Sequence, residues 1–178
     1  MSRSRSFSTP AIVLKRTSVG DSDRVVTLLT QKKGKIVSVA KGVRKLKSSK
    51  RAFLEPGNLI KAFFIETKSM PLLTQATLID DFSAAKINLS KIRQLAQVLE
   101  IVDKLFVEEE DVANFDQVVK ALELLKKNGH HRSQIKTILM EIISQLGFED
   151  NGSTKKSLLE RVEQITDRKM KSWEYLTV

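Results

Sequence analysis

The sequence predicts a β + α protein, with short strands through the first half of its 178 residues and amphipathic helices through the second. Three observations carry that reading. Up to about residue 80, apolar residues come in short, partly alternating runs separated by Gly, Pro, Asn and Asp, which is the pattern of strands and turns. From about Asn88 the apolar period lengthens to that of a helix. The charge divides at the same place: residues 1–82 hold 16 Lys/Arg against 6 Asp/Glu, whereas residues 83–178 hold 15 of each. The whole net charge of +10 therefore sits in the strand-rich half. Two units are expected, of which only the first is built for a polyanion.

The strands follow in order. Ala11 to Arg16 is a β-rich run, and Val19 to Asp23 is a loop. Arg24 to Thr30 is the second strand, with Val25, Val26, Leu28 and Leu29. Lys32-Lys33-Gly34 supplies a tight turn whose glycine is free to take a positive φ. Ile36 to Ala40 is the third strand, with Val37 and Val39 on one face. Pro56-Gly57-Asn58 turns into a fourth strand, Leu59 to Glu66, in which Leu59, Phe63 and Ile65 alternate with Ile60, Ala62 and Phe64. Leu72 to Ile79 is the fifth. Five short strands with one long excursion between the third and fourth match a small closed barrel of the OB type over residues 10–82. Residues 1–9, with two arginines and no apolar segment behind them, read as a flexible basic arm rather than a signal peptide.

The helical half, 83–178, reads as a bundle. Asn88 or Ser90 caps a first helix whose face carries Ile92, Leu95, Ala96, Leu99, Val102 and Phe106. Asn114 caps a second, with Phe115, Val118, Val119, Leu122 and Leu125, stopping at Asn128-Gly129. A third aligns Ile135, Ile138, Leu139, Ile142 and Leu146 and ends at Gly147. A fourth starts near Thr154 and carries Leu158, Val162 and Ile165. The boundary between the halves falls near Asp80 to Lys86.

The feature that points to function is Gly34 to Arg51. Its strand empties into a loop holding Lys41, Arg44, Lys45, Lys47, Lys50 and Arg51, with no acidic residue among them. Like charges this close repel, so folding alone does not favour the cluster, and a polyanion relieves the repulsion while releasing counterions. These six are the primary candidate contacts to nucleic acid. Lys15, Arg16, Arg24 and Lys35 are secondary ones. Phe53, which follows the loop, is a candidate to stack on a base, with anchoring of the loop as its equal alternative. Phe63 and Phe64 point to opposite faces of one strand, so at least one belongs to the core.

Other chemistry is poorly supported. The absence of cysteine excludes disulfides, thiol catalysis and thiolate metal sites. His130 and His131 are adjacent and point to different sides of a helix, which suits surface or capping roles rather than a shared metal. Glu108-Glu109-Glu110-Asp111 reads as a solvated loop, since catalytic carboxylates must converge from separate elements. Asp21 and Asp23 read as loop residues bonding nearby amides, with a salt bridge to Arg24 as a further option. No phosphate-binding or nucleophile motif is present. The expectation is a binding protein and not an enzyme, with no metal and no cofactor. No apolar run approaches the ~18 residues of a membrane helix, and a cytoplasmic, nucleoid-associated location is expected.

The N-terminal segment from Ala11 to Ile60 resembles the N-terminal domain of the bacterial recombination mediator family RecO. The resemblance rests on the opening strand, the acid-x-Asp-Arg loop at Gly20 to Arg24, the turn from Thr30 to Lys35, and Ala40-Lys41-Gly42-x-Arg44, in the family's order and spacing. Leu73 to Ala76 and Lys169 to Leu176 are similar to the family's fifth strand and C-terminal segment. One departure stands out: many members insert a cysteine-rich, often zinc-binding segment after a Leu-Gly pair, whereas here only Glu149 to Thr154 follow Leu146-Gly147-Phe148 before the last helix.

The resemblance implies binding of single- and double-stranded DNA, annealing of complementary strands, and help in loading recombinase onto DNA coated with single-strand-binding protein. The implied partners are RecR and the acidic C-terminal tail of single-strand-binding protein. Lys126, Lys127, Arg132 and Lys136, beside Leu125 and Ile135, are the expected flank of a groove for that tail. Two alternatives remain open at the level of sequence. One is an RNA-binding or ribosome-associated barrel, and the other is a protein-interaction adaptor acting through its helices.

Overall fold

A computed structural model describes residues 6–45, 48, 50–108, 114–129, 131–148, 157–172 and 175–176, with Lys50 described for its backbone only. The chain forms two compact units that divide between Asp81 and Phe82, and the chain rejoins the first unit at Val107.

The first unit is a closed five-stranded barrel of OB-type order, β1-β2-β3-β5-β4. Its strands are β1 (Ser6–Val19), β2 (Asp23–Thr30), β3 (Gly34–Ala40), β4 (Leu59–Ile65) and β5 (Leu72–Asp80), with a one-turn helix α1 (Lys50–Phe53) between β3 and β4. β1 is long enough to pair antiparallel with both β2 and β4, and an irregularity between Val13 and Lys15 lets it turn from one partner to the other. The barrel closes by a parallel contact of β3 with β5, Val39 opposite Leu72. The inner face is filled by Val13, Val26, Leu28, Ile36, Ile60, Ala62, Phe64 and Leu73, among others.

The run Ala11-Ile12-Val13-Leu14 is buried on both faces of β1, which explains why it lacks alternation. The arm expected over 1–9 is strand from Ser6 onward, because Ser6 to Thr9 pair with Ile65 to Ala62 of β4. Phe7 stacks on Phe64 with ring centroids 5.0 Å apart, and Lys33 lies 4.2 Å over Phe7 while pairing with Glu66. Residues 1–5 lie outside the described residues. Glu108, expected in a solvated loop, forms an isolated parallel bridge with Lys35, and Glu109 to Asp111 lie outside the described residues.

The second unit holds a 3₁₀ turn (Ser83–Lys86) and helices α2 (Leu89–Leu105), α3 (Phe115–Lys126), α4 (Arg132–Gln145) and α5 (Leu158–Thr166). Asn88 caps α2 by accepting from the Lys91 amide at 2.9 Å. The buried face of α2 is Gln94, Leu95, Gln97, Val98, Leu99, Ile101, Val102 and Leu105, whereas Ile92 and Ala96, expected in the core, are exposed. Burying Ile101 and Val98, both fully enclosed, decides which stripe faces inward. Asn114 stands at the N-cap position of α3 but caps nothing with its side chain, and its Oδ1 is buried without a hydrogen bond. The start expected near Thr154 lies outside the described residues. Ser157 closes a capping box with Glu160 at the head of α5. His131 sits at the N-cap position of α4 with its ring nitrogens 2.9 Å from Gln134 Oε1 and 3.2 Å from the Asn128 carbonyl, a local surface role, while His130 lies outside the described residues.

The C-terminal segment is tied back to α2. The Glu100 carboxylate accepts from the amides of Lys171 at 2.7 Å and Ser172 at 2.8 Å, and fully buried Gln97 accepts from the Tyr175 amide at 2.9 Å.

Candidate nucleic-acid interface

The basic loop is fixed at both ends. Val43 and Leu54 are wholly buried in the barrel core, so the chain between them is anchored by apolar contacts. Asp23, at the head of β2, accepts from the Gly42 amide at 2.7 Å and from the Ser22 hydroxyl at 3.2 Å. The Gly42 hydrogen bond, aided by Ser22, Lys41 and Lys45, holds the Asp23 carboxyl below its ordinary range. Gly42 has φ +64°, a left-handed conformation that glycine adopts without strain. The Arg44 amide donates to the Ser22 carbonyl and its Nη1 to the Gly20 carbonyl, both at 2.9 Å. The loop after β3 is thereby stitched to the β1–β2 turn. On its far side, Asn58 Nδ2 donates to the carbonyls of Ala52 and Phe53 at 3.2 and 3.1 Å.

This frame leaves Lys41, Arg44, Lys45 and Arg51 exposed. Among the described residues none of the four forms an ion pair with a carboxylate. Lys47, and the side chain of Lys50, lie outside the described residues. Lys15 is exposed, on the opposite face of β1 from Arg16. Arg16 is half-buried and pairs with Glu55, a counter-charge the sequence reading missed because Glu55 was passed over beside the Pro56-Gly57-Asn58 turn.

Two expectations change, and a third falls to one of its two alternatives. Lys35 is the second residue of β3, at the end away from the basic loop, and is only 8% exposed, so it is not a surface contact. Arg24 is also buried, on the inner face of β2, and gains no salt bridge from Asp23, whose Oδ1 is taken by Gly42 and Ser22. Phe53 is half-buried and packs against the barrel core, which fits the anchoring alternative. Of the paired phenylalanines, Phe64 is core, and Phe63 is half-buried on the outer face with Lys61 5.6 Å from its ring.

The helical unit has a cavity of about 190 Å³ where the head of α2, the tail of α3 and the head of α4 meet. Leu125 and Ile135 form its apolar wall, and Lys91, Lys127 and Arg132 its cationic rim. Lys91 Nζ donates to the last carbonyls of α3, Lys126 at 3.4 Å and Lys127 at 3.1 Å. Of the four expected flanking cations, Lys127 and Arg132 line this cavity. Lys126 instead pairs with Glu123 at 3.4 Å and lies 5.2 Å from the Phe82 ring, and Lys136 lies on another face of α4.

Residues 1–82 match the family described as "Recombination protein O N terminal". A DNA repair protein RecO of Bifidobacterium adolescentis is 35% identical over 127 residues, 70% of this chain and 52% of that protein. The chain belongs to the RecO family. A further RecO, from Syntrophomonas wolfei, is 28% identical over 139 residues, 78% of this chain and 56% of its own length. The RecO of Heliobacterium modesticaldum is 35% identical over 101 residues, 57% of this chain and 37% of that protein. The chain thus spans about half the length, or less, of the relatives it matches. Membership places it among DNA repair and recombination proteins. No helix among the described residues is long and apolar enough to cross a membrane.

Proposed function

We propose that this chain is a non-enzymatic recombination mediator that binds single- and double-stranded DNA through the surface around its basic loop. The observation that carries this is the set Lys41, Arg44, Lys45 and Arg51, exposed, without carboxylate partners among the described residues, on a backbone pinned at one end by Asp23, Gly20 and Ser22 and at the other by Asn58. Pinning matters because cations held in place lose less conformational freedom on meeting phosphates than cations on a slack loop. Neutralising two phosphate backbones together lowers their mutual repulsion. Complementary strands then anneal with no nucleotide hydrolysis.

Helping recombinase onto coated DNA requires contact with single-strand-binding protein. The cavity lined by Leu125 and Ile135 with Lys127 and Arg132 at its rim suits an acidic tail that ends in an apolar residue and a free carboxylate. RecR is proposed as the second partner, on the family likeness alone.

A strand-annealing assay tests the reading, with complementary oligonucleotides bare or coated with single-strand-binding protein. The protein should accelerate annealing of both, and the triple change of Lys41, Lys45 and Arg51 to Glu should remove the acceleration. Arg44 is spared because its guanidinium also holds the Gly20 carbonyl. Equal annealing by wild type and variant would rule the loop out. Preference for matched RNA over DNA would favour a ribosome-associated role.

A further inference from the structure

We propose that the mouth of the barrel is a phosphate site in which Arg24, with Arg16 beside it and Arg44 and Arg51 around it, takes one backbone phosphate of a bound DNA strand. The inference rests on the DNA-binding reading above and assigns that interface a buried centre.

Arg24 lies on the inner face of β2. It pairs with Ala40 and stands two residues before Val26, and both of those are wholly buried core residues. A guanidinium at this position replaces what would otherwise be an apolar end to the barrel core. It is 9% exposed, and its Nη1 is buried with no hydrogen-bond partner. Among the described residues, the carboxylates of Asp23 and Glu55 are engaged elsewhere, Asp23 with the Gly42 amide and Glu55 with Arg16.

Arginine does not escape such a position by losing its proton at neutral pH. Burial lowers its pKa, and the charges of Arg16, Arg51 and Arg44 lower it further, opposed by Glu55. A buried guanidinium with an unpaired Nη1 and, among the described residues, no ion pair of its own is costly, and folding alone gives no reason to keep one beside three more cations. A ligand that brings negative charge and several acceptor oxygens supplies the missing partner. A phosphate does so with the fork geometry that guanidinium groups match. A carboxylate offers two oxygens and one charge to four arginines, whereas a phosphate chain brings further charges for the exposed cations Lys41, Arg44, Lys45 and Arg51.

Glu55 then acts as a placeholder. Its side chain is 44% exposed against 25% for Arg16, so it has room to leave when phosphate arrives. DNA entering the site therefore replaces Glu55 at Arg16 and supplies Arg24 with the partner its Nη1 lacks.

The test compares wild type with Arg24→Gln, Arg24→Lys and Glu55→Gln. The probes are oligothymidylate, an abasic deoxyribose-phosphate oligomer of the same length, inorganic phosphate, and an acidic peptide. Each variant is first checked for the wild-type amide spectrum. Arg24→Gln should weaken binding of both oligomers about tenfold or more and reduce the slope of log K against log salt by about 0.7. Arg24→Lys should recover part of the loss, and Glu55→Gln should tighten binding. The Arg24 side-chain Nε–Hε signal of wild type should move with either oligomer and, at higher concentration, with inorganic phosphate.

A folded Arg24→Gln with unchanged affinity and slope would overturn the proposal while leaving DNA binding by the loop intact. Should that variant fail to fold, an Arg24 signal in wild type that ignores both oligomers at saturation would overturn it equally. So would a signal that moves only with the acidic peptide. Wild type that binds no oligomer at all would instead sink the underlying DNA-binding reading.

Discussion

Asp23 accepts a hydrogen bond from the backbone amide of Gly42 at 2.7 Å, across 19 residues of chain, and so joins the head of β2 to the start of the basic loop. One short acidic side chain thereby organises the most basic stretch of the protein. It forms no ion pair with the described residues of that stretch, because its hydrogen bonds go to a backbone amide and a serine hydroxyl.

That bond predicts a pH dependence. The Asp23 carboxyl is held below its usual value of 3.8 by the Gly42 amide, against burial, with help from Ser22, Lys41 and Lys45. A group whose pKa is depressed by folding contributes stability that is fully present above its unfolded pKa and is lost as pH falls through the folded one. Wild type should therefore melt above Asp23→Asn at neutral pH, with the gap closing only below about pH 4. The Gly42 amide should exchange faster with solvent in Asp23→Asn. A gap that stays constant down to pH 2 would contradict this.

The loop predicts a salt dependence. If about five phosphates are neutralised, log K for single-stranded DNA should fall against log salt with a slope of roughly −3.5. Reversing Lys45, Lys47 and Lys50 to Glu should abolish binding and leave the circular dichroism spectrum unchanged. Fluorescence anisotropy across a salt series reads the slope directly, and a value near zero would mean that phosphate contacts do not drive binding.

Two asparagines at helix starts should behave oppositely. Asn88 accepts the Lys91 amide at 2.9 Å, so Asn88→Ala should cost about 1 kcal/mol in chemical denaturation. Asn114 makes no capping bond and buries an unpaired oxygen, so Asn114→Ala should be neutral or stabilising. Equal losses at both positions would show that Asn114 contributes in a way its contacts do not reveal.

Glu100 predicts the hold on the C-terminal segment. Burial pushes its pKa up, but the amides of Lys171 and Ser172, the Ser172 side chain and Lys104 outweigh burial and leave it lowered. By the same linkage, its contribution is present at neutral pH and fades as pH falls through the lowered value. Glu100→Gln should speed hydrogen exchange at the Lys171 and Ser172 amides and open the C-terminal segment to carboxypeptidase. Unchanged protection at both amides would show that the Gln97 contact and the burial of Leu176 suffice.

The helical cavity predicts a peptide footprint. Titrating a short acidic peptide with an apolar C-terminal residue should shift amides of Lys127, Arg132 and Ile135, and Arg132→Glu should weaken it several-fold. Shifts confined to residues 10–80 would refute this placement.

Much of the fold was legible in the sequence because its signals are local. Alternation, turn residues and the change of period at Asn88 report secondary structure through side-chain direction, which needs no knowledge of partners. The basic loop was legible for a similar reason, since six like charges in a row are a property of the chain. What the sequence left undetermined is where each charge goes. Lys35 and Arg24 read as surface cations like their neighbours, yet strand register turns both into buried positions, at opposite ends of the barrel. Of the stripe expected to face inward on α2, Leu95, Leu99, Val102 and Phe106 are buried, whereas Ile92 and Ala96, as apolar as those that are buried, are exposed. The pairings Asp23 with Gly42, Arg16 with Glu55 and Glu100 with the C-terminal amides join residues 19, 39 and more than 70 positions apart. Composition and periodicity determined the kinds of element and their charge. Only closure of the barrel and packing of the helices decided which charges are paired, which are buried, and which remain for a partner, because those depend on contacts between residues distant in the chain.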